Sequence, residues 1–503
     1  MIALDGNSLT LEALERIATM DEPVTLTDTT RARVAAARRV VDIKAEGEAA
    51  VYGVNTGFGS LAEVRIPRAS LGELQVNLLR SHACGVDEPL PRRTVRATMA
   101  LRANVLAKGF SGIRVETLEA LLALLNHRVH PVVPSRGSVG ASGDLAPLAH
   151  LALVLIGEGT ALVGDERLAG RTALERAGLP PVALRAKEGL ALINGTQPST
   201  AVLALAVADA WRLARATDVA VALTLDALRG SMAPFDARVH ETRAFPGQAE
   251  SASNVWRLLQ DSAINASHAN CGKVQDAYSL RCAAQVHGAA RDALRFARRT
   301  VEIEANAATD NPMVFADRGD MISGGNFHGA PIAVAADVVA IGVAQLATIS
   351  ERRTDRLMNT AVSELPPFLV AKSGLQSGFM MAHVTAAALT AEAKTLAHPA
   401  SVDSIPTSAG REDHVSMSMG AALKAARAVE VVRRVVAVEV LSACQALDLL
   451  HPLTTSAPLA EVHRAVRRLV PPVTADRPLG PDIETIAAAL ADGTLLSSAP
   501  PLS

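Results

Sequence analysis

Apolar positions recur at three- and four-residue intervals along most of this chain, the spacing that puts them on one face of a helix. Between residues 68 and 126 they fall at Leu71, Leu74 and Leu78, and again at Val115, Leu118, Leu121, Leu122 and Leu125. From Pro198 to Arg229 the sequence is Ala, Leu and Val with few charges, which predicts a helix buried nearly all round. A further long helix is predicted over Ser279–Ala308 and stops before Asp310-Asn311-Pro312, because a proline disfavours a helical predecessor. Others are predicted over Ala330–Met358 and over His414–Leu450, the latter with Gly420 as its one weak point and Pro452 just beyond its end. Helices this long exceed the usual ~11–12 residues and point to a long bundle. Alternation is confined to TALVGDERLAG, which reads as a small hairpin turning at Gly164-Asp165. The fold class expected is therefore all-α: a mixed, mostly helical N-terminal part over 1–200, then a helical bundle over 201–503.

Composition narrows the function classes. Lys and Arg number 49 against 51 Asp and Glu, so no broad basic field offers itself to nucleic acid or an anionic membrane. Hydrophobic residues make up 49% and charged ones 20%, which excludes a disordered chain. The four cysteines (Cys84, Cys271, Cys282, Cys444) form neither a disulfide framework nor a C-x-x-C pair, and a reducing compartment follows. Asp5 and Glu12 sit where a signal peptide needs a basic start and an apolar run. The most apolar stretch, Leu145–Gly164, is interrupted by Pro147, His150 and Glu158, short of the ~20 apolar residues of a membrane span. A cytoplasmic protein is expected. The 13 histidines are scattered without a helical H-x-x-x-H, so no metal site is expected. Aromatic residues are only 3%, and the two tyrosines are Tyr52 and Tyr278. Seven lysines against 42 arginines point to GC-rich codon usage as the cause.

Candidate chemistry begins at residues 134–150, PSRGSVGASGDLAPLAH. Gly137, Gly140 and Gly143 allow backbone conformations closed to larger residues, and Asp144 opens the apolar helix as a cap or first-turn acid. Three readings compete. The glycines are structural; or they cradle phosphate, against which stand the lack of a preceding strand and of a following G-K-[ST]; or they permit a backbone cyclisation. In the third, a tight bend places the Gly143 nitrogen against the Ala141 carbonyl. Loss of two waters then turns Ser142 into a methylidene on an imidazolone ring, an electrophile sharpened by the helix N-terminus beneath it.

GSVGASGDLAPLAH resembles the signature of the aromatic amino acid ammonia-lyase family, which carries that methylidene-imidazolone (MIO) group. The resemblance extends from YGVNTGFG at Tyr52 to the helix after EDHVSM at Met417. It implies an all-helical homotetramer with active sites built from more than one subunit, and an MIO formed from Ala141, Ser142 and Gly143 without external cofactor. In VQDAYSLRCAAQVHG, Tyr278 matches the family's catalytic tyrosine and Arg281 the arginine that clamps the substrate carboxylate, a task suited to a bidentate guanidinium. Without the resemblance these two read as a helix surface pair. Tyr52 resembles a lid tyrosine that takes part in proton transfer, and would otherwise read as a packed turn residue. Asn194 in LINGTQ resembles the asparagine beside the MIO, Phe327 in SGGNFHGAP an aromatic residue near the substrate ring, and Gln275 a further contact.

Two positions bear on the substrate. Ser81-His82 is the pair typical of family members acting on histidine; a satisfied structural histidine is the plainer reading of His82. Glu412, in SAGREDHVSM, stands where members acting on carbocyclic side chains usually carry Gln. A carboxylate suits imidazole, whose nitrogens donate, and would be desolvated without a partner against a phenyl ring. Its alternative role, an acid at the start of the next helix, can be filled by Asp413. Gly410 and Arg411 depart from the Asn and Gln common in the histidine-acting members. The expected reaction is non-oxidative elimination of ammonia from L-histidine to give trans-urocanate, the first step of histidine breakdown. The alternative is a tyrosine or phenylalanine lyase, or a 2,3-aminomutase, on the same scaffold.

Overall fold

The computed structural model of the chain describes residues 1–269, 272 and 274–503, and of Ser60 the main chain only; Cys271 lies outside the described residues. The chain is 59% helical, with 20 helices and little sheet among the described residues. The predicted long helices are found at Gln197–Ala227, Ala330–Met358 and Ser418–Leu449. The span expected over Ser279–Ala308 is divided into Tyr278–Arg281 and Ala283–Glu304. Cys282 breaks it with φ −102 and ψ 12, a local turn to which apolar periodicity is blind.

The hairpin turns where expected, with Thr160–Val163 antiparallel to Glu166–Ala169. Val129–Pro131 adds a third strand that the sequence did not advertise, since it ends in Pro131 with Pro134 close behind. Val86–Pro89 pairs antiparallel with Pro134–Arg136, so the glycine-rich loop does follow a short strand, contrary to expectation, because prolines are tolerated in so short an edge pairing.

The chain divides into two compact units. The first gathers Met1–Leu205, Arg298–Ala336 and Pro399–Leu423; the second gathers Ala206–Ala297, Asp337–His398 and Lys424–Ser503. In the first unit the helix Arg92–Ala107 is buried from Thr94 to its end, and the helix Leu145–Leu155 along nearly its whole length. A small apolar cluster of Val40, Val41, Val54, Leu71 and Val314 lies under the loop that follows Tyr52. In the second unit the core is crossed by buried charge: Arg353 pairs with Glu439, and Asp218 accepts from both His287 and Arg291.

One expectation is corrected. The most apolar stretch is not 145–164 but a window of Ala330–Met358, the one described helix long and apolar enough by composition to cross a membrane. A search for unbroken apolar runs passes over it because Asp337 and Gln345 interrupt it. In the fold 72% of that window is buried, and Asp337 pairs with Lys424 at 2.5 Å, as in a core helix.

Candidate active site

The Ala141-Ser142-Gly143 bend is closed by contacts with the segment around Asn194. Ser142 holds φ +53, a left-handed value rare for a residue with a side chain, and Gly143 follows at φ +76. A Cβ at Gly143 would lie 2.3 Å from the Gly195 carbonyl oxygen, so only glycine fits. The Asp144 amide donates to that same oxygen at 2.8 Å, and the Asn194 side-chain amide donates to the Ser142 carbonyl at 2.9 Å. Asn194 Oδ1 is buried without a hydrogen-bond partner.

Asp144 corrects its sequence reading. It occupies the N-cap position of Leu145–Leu155 but makes no side-chain bond to that helix. Its buried carboxylate instead accepts from Ser138 Oγ at 2.7 Å and from the Ser199 amide at 2.9 Å. It thus satisfies an orphan N–H at the start of the neighbouring helix Gln197–Ala227. Complete burial pushes its pKa above the ordinary value, against the pull of those donors.

Over this bend opens a cavity of about 830 Å³ in the first unit, lined by Tyr52, Ser81, His82, Ala141, Ser142, Gly143, Asn194, Phe327 and Glu412. His82 ends the helix Leu71–His82 and donates through Nδ1 to the Leu78 carbonyl at 2.9 Å, with Ser81 Oγ 3.0 Å away. That contact satisfies one ring nitrogen as the plainer reading requires, while burial pushes its pKa down. Tyr52 meets Phe58 edge-to-face at 6.3 Å between ring centres. Burial raises its phenol pKa, and the Glu412 charge adds to the effect. Glu412 Oε2 accepts from Thr407 Oγ1 and Ser408 Oγ, each at 2.6 Å, and Oε1 from Ser142 Oγ at 3.3 Å. The following helix begins only at Ser418, which leaves Glu412 no part in its N-terminal turn.

Tyr278, Arg281 and Gln275 belong to the second unit. Tyr278 begins a four-residue helix and is 70% exposed; the Arg281 guanidinium lies 4.4 Å over its ring. Arg281 Nε donates to the Asp276 carbonyl at 3.0 Å, and Gln275 is exposed.

Several site residues escape sequence reasoning. Arg102, fully buried, donates to the Asn194 carbonyl at 2.8 Å and to Gln197 Oε1 at 2.6 Å. Burial lowers its pKa to about 10. The signal available was an arginine inside the mostly apolar run ATMALRANVLA. Phe58 and Asn311 also line the cavity, as does Arg411, which the sequence marks only as a departure from the family pattern. Thr407 and Ser408 carry no signal of their own in the sequence. Gly410, the departure from Asn, holds φ +82, a left-handed conformation that asparagine also tolerates.

The family model for aromatic amino acid lyases matches residues 9–468. The chain is 54% identical over 497 residues to a histidine ammonia-lyase of Myxococcus xanthus, covering 99% of this chain and 98% of the relative. It is 56% identical over 503 residues to that of Anaeromyxobacter dehalogenans, covering 98% and 99%. Among solved structures, histidine ammonia-lyase from Trypanosoma cruzi superposes with a TM-score of 0.92 at 44% identity, covering 99% of this chain and 94% of that one. Tyrosine aminomutase from Streptomyces globisporus superposes with a TM-score of 0.94 at 38% identity, covering 99% and 98%.

Proposed function

From the premise that this chain belongs to the aromatic amino acid lyase family, we propose that it is a carbon–nitrogen lyase that converts L-histidine to trans-urocanate and ammonia. The prosthetic group is an MIO made from Ala141, Ser142 and Gly143. Three features support that assignment: the left-handed Ser142, the Gly143–Gly195 approach that excludes a side chain, and the unpartnered Asn194 Oδ1. When formed, the group supplies an electron sink for loss of the amino group.

The remaining work falls to side chains. Tyr278 removes the β-proton and Tyr52 assists its transfer. Arg281 holds the carboxylate through a bidentate pair. Asn194 supports the bend through the Ser142 carbonyl. His82 and Glu412 address the imidazole, while Ser81, Phe327 and Gln275 complete the walls. The protein acts as a homotetramer whose active sites draw on more than one subunit; the exposed phenol of Tyr278 is consistent with that arrangement. A reducing, cytoplasmic setting suits the free thiols of Cys84, Cys282 and Cys444.

The observation that carries histidine as substrate is the Glu412 carboxylate in the same cavity as Ser142 and His82. A phenylalanine substrate would leave that charge facing a ring without donors, and a tyrosine would offer only its terminal phenol, whereas an imidazole donates from the ring itself. Incubation of the purified protein with L-histidine should build the absorbance of urocanate, and the intact mass should fall short of the encoded chain by two waters. Absence of urocanate, with tyrosine or phenylalanine consumed instead, rejects this proposal in favour of the alternative.

A further inference from the structure

We infer that Thr407 and Ser408 are positioning residues that set how Glu412 meets the substrate ring, an inference that rests on the reading of Glu412 as the ring-binding acid. Both hydroxyls donate to the same oxygen, Oε2, at 2.6 Å. Two donors on one oxygen leave Oε1 as the acceptor turned toward Ser142. A free glutamate has three rotatable bonds; here its head group is fixed from behind, and one lone-pair-bearing atom is presented to the cavity.

The backbone is built to hold this arrangement. Thr407 and Glu412 form an isolated antiparallel bridge, with the Thr407 amide donating to the Glu412 carbonyl at 2.9 Å. Between them Ser408, Ala409 and Gly410 all hold left-handed φ, at +50, +55 and +82. A run of such residues is disfavoured for side-chain-bearing residues, and it persists where surrounding contacts over-determine it. Here those contacts are the bridge and the two hydroxyl bonds. The charged and titratable groups around the carboxylate include Arg411, Tyr52 and His82, all lining the same cavity, and none takes the place of the hydroxyl donors.

A contact to the ring that is present both before and during reaction is uniform binding, so loosening it raises KM and leaves kcat. The experiment compares KM and kcat for L-histidine among the unaltered protein, Thr407→Val, Ser408→Ala, the double variant, Thr407→Ser and Glu412→Gln, with intact mass confirming equal maturation. KM should rise about tenfold in Thr407→Val and further in the double variant, with kcat little changed. Thr407→Ser, which keeps the donor, should restore the unaltered KM. A merely structural role would reduce folded protein or kcat without this split. Unaltered KM in the double variant, with Glu412→Gln impaired, overturns this inference and leaves the proposed function standing. No urocanate from the unaltered protein overturns both. If the double variant does not fold, the Thr407→Val and Thr407→Ser pair decides alone.

Discussion

The side-chain nitrogen of Asn194 donates to the carbonyl oxygen of Ser142 across 2.9 Å, linking two residues 52 positions apart. The carbonyl belongs to the triplet that the proposed ring would incorporate, so the amide donor is aimed at a group whose electron density changes during reaction. Loss of one such preorganised donor costs on the order of 10²–10³ in kcat. Asn194→Ala should therefore form urocanate at least ~100-fold more slowly. The steady-state rate at saturating L-histidine checks this.

Gly143→Ala should block ring closure altogether. Its Cβ would meet Gly195 oxygen at 2.3 Å, and φ +76 is strained for any side-chain-bearing residue. The bend must open, separating the residue 143 nitrogen from the Ala141 carbonyl. Intact-mass measurement should return the full encoded mass for this variant, with no loss of water.

The two tyrosines make phenol titration selective. In Tyr278→Phe the remaining signal is Tyr52, and its midpoint should lie above the ordinary ~10, because burial and the Glu412 charge disfavour the phenolate. Adding Glu412→Gln removes a negative neighbour and should bring the midpoint down. An ultraviolet pH titration of the two variants measures both effects.

Stability at low pH should depend on Asp218 in the second unit. Burial alone would raise its pKa, but the Arg291 guanidinium and His287 outweigh it and hold it well below the usual range. Ser251 and Asn254 add hydroxyl and amide donors at 2.6 and 2.9 Å. A depressed carboxylate pKa stabilises the fold above the unfolded value of ~3.9, and that contribution drains away as pH falls below it. Asp218→Asn takes from Arg291 its nearest carboxylate, leaving Glu250 at 3.8 Å, and should cost up to about 3–5 kcal/mol at neutral pH, with a flatter acid limb. Urea unfolding midpoints across a pH series test both.

Much of this architecture was legible. The helix Ala330–Met358 and the Gly164-Asp165 hairpin follow from periodicity and turn chemistry, which act over a few residues. The Ala141–Gly143 loop stood out through its resemblance to the family signature, since its small residues taken alone read as readily as a structural turn. What stayed hidden depends on distant partners. Asp144 looks like the cap of its own helix until Ser199, 55 positions on, is seen to take its carboxylate. Arg102 looks like a surface cation until Asn194 and Gln197 surround it. The break at Cys282 divides the helix without disturbing the apolar pattern, so no periodicity could mark it.

The partners that close the 141–143 bend, Asn194, Gly195 and, through Asp144, Ser199, all follow it in the chain. During synthesis the triplet emerges well before them, with only the local contacts of Ser138 in place. Loss of water in the proposed cyclisation would be covalent and beyond the reach of denaturant. Under that proposal the mass of a chain unfolded in urea keeps a memory of its past: a molecule lighter by two waters has been folded at least once, and one at full mass has not completed that passage.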